Sequence, residues 1–98
     1  MKVTWSRKAR ERLREIQDYI AKDSPIRATQ VVNRLIRRSE KLVLEPRIDR
    51  LVPEYPQDNL REALDRPFRL IYLVSLSGIN IVTVKHYRQR LPEHPTDL

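Results

Sequence analysis

Residues 68–88, FRLIYLVSLSGINIVTVKHYR, decide the fold. Phe68 to Ser75 is apolar on both faces, as a strand flanked by other strands must be. Ser77-Gly78, with the one glycine of the chain, marks a turn. Ile79 to Arg88 follows as the last strand, and its final four residues turn abruptly polar. Upstream, Leu60 to Leu64 has strand character, so residues 60–88 predict three strands in an antiparallel meander. Residues 45–59 carry Pro46, Pro53 and Pro56 and read as an ordered surface loop.

The first half has a different period. Lys2 to Trp5 alternates polar and apolar, a short first strand, and Ser6 supplies an N-cap hydroxyl for a helix. Ala9, Leu13, Ile16 and Ile20 form one apolar stripe, with Tyr19 beside it. Ser24-Pro25 ends this helix and opens a second, because serine caps and proline is welcome at the first helical position. Ala28, Val31, Val32, Leu35, Ile36, Leu42 and Val43 make the second stripe, with Pro46 beyond its end. Helices joined by so short a turn are antiparallel neighbours. The expectation is an α+β domain over residues 1–98, ordered β-α-α-β-β-β, its helix hairpin packed on one face of an antiparallel sheet. Residues 91–98, with two prolines, read as a loose tail.

Composition narrows the partners. The 98 residues are 40% hydrophobic and 34% charged, enough for one core under a charged surface. The net charge of +7 suits polyanions or acidic proteins. The excess lies wholly in residues 1–50, with 14 Lys/Arg against 7 Asp/Glu, while residues 51–98 hold 6 against 6. No apolar run approaches the length of a membrane span, and MKVTWSRKAR lacks the apolar stretch of a signal peptide. The absence of cysteine excludes disulfides and thiolate metal sites and fits a cytoplasmic protein. With two histidines and no carboxylate cluster, neither a metal nor a cofactor is expected.

Five blocks in register carry a resemblance. WSRKARERLREIQDYIAKDSPIRA at 5–28, VPE at 52–54, LREAL at 60–64, FRLIYLV at 68–74 and VKHYRQR at 84–90 together resemble the RelE/ParE superfamily of type II toxin–antitoxin systems. The resemblance covers residues 2–90 and leans toward the ParE-like, plasmid-stabilisation members. It implies a growth-arresting toxin neutralised by a cognate antitoxin in a hetero-oligomer. ParE-like members act on DNA gyrase, whereas RelE-like members cut messenger RNA on the ribosome. An inactive, antitoxin-binding relative is the third possibility the resemblance leaves open.

Metal-independent RNA cleavage needs a base, an acid and cations for the phosphorane. Glu54 and His86 are the candidate base and acid, Arg69 the phosphate stabiliser, and Tyr87 a stacking or orienting group. The resemblance places these four at or near the active positions of one RelE-like subgroup. The lysine pair of another subgroup is missing, since Leu60-Arg61-Glu62 stands there. Arg61, Lys85, Arg88 and Arg90 are candidates for target contact, and the Arg7, Arg10, Arg14 row on the first helix for antitoxin contact. Each has a plain structural alternative. His86 alternates in phase with Val82 and Val84 and suits a half-buried strand histidine. Arg69 is placed for a cross-strand salt bridge to Glu62, and Glu54 for solvation in a loop. Arg61 suits the surface, and the arginine row a solvated helix face.

Overall fold

A computed structural model describes residues 1–98. Ser6 organises the start of the chain. Its backbone N–H donates to the Ile81 carbonyl at 2.9 Å and its hydroxyl to the Val82 carbonyl at 2.8 Å. The same hydroxyl accepts from Ala9 N–H at 3.0 Å, so one residue closes strand β1 (Lys2–Trp5) and caps helix α1 (Arg7–Ala21). Ser24 caps helix α2 (Pro25–Glu40) in the same way, with Pro25 at its first position. Leu42 and Val43, expected on this second helix, sit in a short 3-10 turn at Lys41–Val43 instead.

Strands β2 (Leu60–Asp65), β3 (Phe68–Ser75) and β4 (Gly78–His86) form the expected antiparallel meander. The sheet order is β1-β4-β3-β2. The sheet is mixed rather than wholly antiparallel, because β1 lies parallel to β4, Lys2 opposite Gly78 and Trp5 opposite Ile81. The α1–α2 hairpin that separates β1 from the meander brings it back alongside the last strand, a connection that a parallel pair requires. Gly78 has φ +151°, and a Cβ there would stand 2.2 Å from the Lys2 carbonyl oxygen. The only glycine thus permits the close approach of β1.

The two sheet faces are covered differently. Apolar side chains of both helices, with Ala9, Val31 and Leu35 buried, pack on Leu70, Tyr72, Ile79 and Ile81. The opposite face carries Leu60 and Ile71, and beneath Val52, Tyr55, Leu91 and Leu98 it forms a second, smaller core. The register shifts between Ile71 and Tyr72, which face Thr83 and Ile81, leaving Val82 as an extra residue on β4. Val84 therefore joins the helix-side core whereas Val82 packs with the second one, so the simple alternation expected of Val82, Val84 and His86 is broken by the bulge.

Two boundaries differ from the sequence reading. Strand β4 stops at His86 rather than Arg88: Gln89 N–H returns to the His86 carbonyl at 2.9 Å, and its side-chain Oε1 accepts from His86 N–H at 2.8 Å. Residues 91–98 are not a loose tail. Leu91 and Leu98 are buried, and the Tyr55 hydroxyl donates to the Pro92 carbonyl at 2.5 Å. Two leucines among the polar residues of the tail bury enough apolar surface to dock it. No helix is long and apolar enough to cross a membrane.

Candidate functional site

Arg69 is the second residue of β3 and points away from the helices, across from Leu64 and diagonal to Glu62 on β2. It is buried, and all three guanidinium nitrogens are engaged. Nε donates to Glu62 at 2.5 Å, and Nη1 and Nη2 donate to the two oxygens of Glu54 at 2.9 and 2.8 Å. Glu62, fully buried, also accepts from Arg50 Nε at 2.5 Å. Arg50, Glu62, Arg69 and Glu54 therefore form a chain of alternating charge. The Arg69 hydrogen bonds hold the Glu54 carboxyl below its ordinary range, outweighing the opposing effect of partial burial. The paired carboxylates in turn push the Arg69 pKa up. The salt bridge to Glu62 offered by the sequence is present, and Glu54 is an ion-pair partner with partial exposure rather than a freely solvated acid.

His86 lies on the other face. It stands opposite Phe68, one position along from the Arg69–Lys85 pair, and successive residues of a strand point to opposite sides. Its ring meets Phe68 edge-on at 5.9 Å and stacks on Tyr87 at 5.1 Å. Nδ1 accepts from Arg88 N–H at 3.1 Å. The Arg88 guanidinium covers Tyr87 at 5.5 Å and donates to its hydroxyl at 3.0 Å. Glu54, Arg69 and Tyr87 border one shallow depression; His86 borders a separate groove. Of the four residues named for RNA cleavage, Glu54 and Arg69 thus lie on one side of the sheet and the His86 ring on the other, while Tyr87, beyond the end of β4, stacks on His86 and borders the Glu54–Arg69 depression.

That groove, about 820 Å³, runs between the helix hairpin and the end of the β3–β4 ladder. Its floor is apolar, from Ile16, Ile20, Val31, Phe68 and Val84, and its rim carries Arg12, Arg27, Arg34 and Arg66. Arg12 pairs with Glu15 at 2.9 Å and Arg34 with Asp65 at 3.1 Å, whereas Arg27 and Arg66 have no carboxylate partner. The surface is suited to an apolar segment edged with acid. None of these arginines stood out in the sequence, because they come from two helices and a turn that only packing brings together.

The remaining candidates are dispersed. Arg7, Arg10 and Arg14 lie on the exposed side of α1, outside the groove, and Arg7 is paired with Glu11 at 3.3 Å. Arg61 bends onto the loop before β2, donating to the carbonyls of Arg47 at 3.2 Å and Asp49 at 2.6 Å. Lys85 is half-buried, and burial, aided by neighbouring Arg12 and Lys8, lowers its pKa. Arg88 and Arg90 are exposed in the turn beyond β4, so a cationic rim persists there.

The domain is a helix hairpin over a four-stranded β1-β4-β3-β2 sheet, with a cation-edged groove beneath the hairpin. The family model described as the ParE toxin of the type II toxin–antitoxin system parDE matches residues 3–91, and the chain belongs to that family. A solved structure described as the chromosomal ParDE TA system from P. aeruginosa is similar, with a TM-score of 0.71 at 25% sequence identity. The match covers 88% of this chain and 95% of that one. No curated protein matches significantly.

Proposed function

We propose that this ParE-family toxin arrests growth in the cytoplasm by binding and inhibiting DNA gyrase, without a hydrolytic step of its own. A cognate antitoxin would hold it inactive in a hetero-oligomer by laying an acidic amphipathic segment into the α1–α2 groove. The observation that carries the reading is the engagement of Arg69 by Glu54 and Glu62. A general base works best with a pKa near the operating pH, and Glu54 is displaced the other way. The Arg69 donors that a phosphorane would need already hold carboxylates. The separation of His86 onto the opposite face supports the same conclusion.

The test uses purified chain and purified gyrase in a supercoiling assay, with a translation extract in parallel. Inhibited supercoiling with intact messenger, relieved by the antitoxin, is the expected result. Unimpaired supercoiling together with codon-positioned messenger cuts would replace this reading by the RelE-like one. Reversing the unpaired groove cations, Arg27→Glu with Arg66→Glu, should weaken antitoxin binding and reduce its salt dependence.

A further inference from the structure

The imidazole of His86 is fixed on one side and free on the other. Its Nδ1 accepts from the Arg88 N–H at 3.1 Å. A backbone N–H can only donate, so Nδ1 carries the lone pair and the neutral ring holds its proton on Nε2. The two nitrogens of an imidazole point in widely different directions, so Nε2–H is directed away from the turn that Nδ1 engages. It makes no hydrogen bond within the chain. The ring is held in place by Phe68, which meets it edge-on at 5.9 Å, and by Tyr87, stacked at 5.1 Å. It borders the groove beneath the helix hairpin. Arg12, on the same lining, has its Nε buried without a partner. A donor withdrawn from water and left unpaired is costly, so an acceptor brought to it is rewarded.

We infer that His86 is a specificity-determining residue of this groove, donating Nε2–H to a carboxylate on the segment that fills it; this rests on the groove being the antitoxin site, as proposed above. The lining carries Arg12, Arg27, Arg34 and Arg66 against one carboxylate, Glu15, which Arg12 already holds at 2.9 Å. Asp65, beside the rim, is likewise taken by Arg34 at 3.1 Å. No carboxylate of the chain reaches His86, and the surrounding positive charge favours an anionic acceptor over a neutral carbonyl. Phe68, opposite His86, and Val84, two residues before it, are buried beside the ring. A hydrogen bond flanked by apolar groups is shielded from water and discriminates more strongly than an exposed one. The apolar floor of the groove suits a protein segment with an apolar stripe, which a nucleic-acid backbone lacks. The residue that the sequence offers as a general acid is on this basis a recognition residue.

The experiment measures by calorimetry how the antitoxin, purified from the co-expressed pair, binds the parent chain, His86→Phe, His86→Gln, and Arg27→Glu with Arg66→Glu. Each variant is first checked for cooperative unfolding. Phenylalanine keeps a ring against Phe68 and Tyr87 but has no donor, whereas the glutamine amide presents a donor near the Nε2 position without a ring. Expected is a fall in affinity of about tenfold or more for His86→Phe, the size of a lost hydrogen bond to a charged group, with most of it recovered in His86→Gln. A residue that only packs gives the reverse order, phenylalanine near the parent and glutamine weak, and that order overturns the inference. An equal loss in both His86 variants overturns it as well. Parent affinity in both, with the arginine reversal weakened, overturns it while leaving the groove as the antitoxin site. Parent affinity in all the variants removes the groove as that site, and the inference with it. A single-stranded RNA oligomer that binds the parent but not His86→Phe would assign His86 to nucleic acid instead and overturn it too.

Discussion

Replacing Arg69 by alanine tests the charge network on which the proposed function rests. The Arg69 side chain is 8% exposed and that of Glu62 is 0%, so the change leaves a fully buried carboxylate facing only Arg50, itself 61% exposed. Removing one member of a buried ion pair costs about 3–5 kcal/mol. The Glu54 arm is partly exposed and screened by solvent, and adds at most about 1 kcal/mol. Domains of this kind are stable by only about 5–15 kcal/mol, so Arg69→Ala removes a large share of the total. A thermal melt should therefore fall by about 12 °C or more, at roughly 4–8 °C per kcal/mol for a domain of this size. The same loss should appear as a lower urea midpoint with an unchanged slope. Arg69→Met with Glu62→Leu should recover much of the loss, because removing both halves of a buried pair also removes its desolvation penalty. A single Arg69→Ala variant within about 1 kcal/mol of the parent would refute the reasoning, since the predicted uncompensated charge would then carry no such penalty. Growth arrest by the repacked double variant would further show that the Arg69 guanidinium takes no part in toxicity.

Three other outcomes follow from the same structure. The Glu54 carboxyl lies below its ordinary value of 4.5 in the folded chain, chiefly through Arg69. The stability it contributes is fully present above that value and is lost as pH falls below it toward the lower folded value. Urea melts of Glu54→Gln should accordingly show a shallower acid decline than the parent, and parallel declines would count against the pair. Gly78→Ala places a Cβ 2.2 Å from the Lys2 carbonyl oxygen at φ +151°, and strain of about 1–3 kcal/mol should displace β1. The single tryptophan, Trp5, reports this displacement by fluorescence; an unchanged spectrum and melting point would contradict it. Deleting residues 92–98 removes the buried Leu98 and the Tyr55–Pro92 hydrogen bond, with an expected cost of about 2 kcal/mol. An unaltered urea midpoint would show that the tail is idle.

Much of the fold is legible in residues taken locally. Ser6 and Ser24 announce helix starts because a side-chain oxygen there meets an otherwise unpaired N–H. Residues 68–75 announce a central strand because both faces are apolar. The docking of the tail is not legible locally, because its prolines signal irregular backbone, whereas Leu91 and Leu98 find cover only after the second sheet face exists. The end of β4 at His86 depends on a side chain, Gln89, that caps its own strand, a contact with no sequence period.

Periodicity and capping therefore determined the helices, the meander and the α+β class, since these depend on spacings of a few residues. Tertiary packing alone decided that Glu54 joins the Arg69–Glu62 pair while His86 faces the helices. It likewise decided that Arg61 braces a loop and that Arg27 and Arg66 edge a groove. These groups lie on different elements, and charge partners are selected by distance in space, which no local pattern encodes.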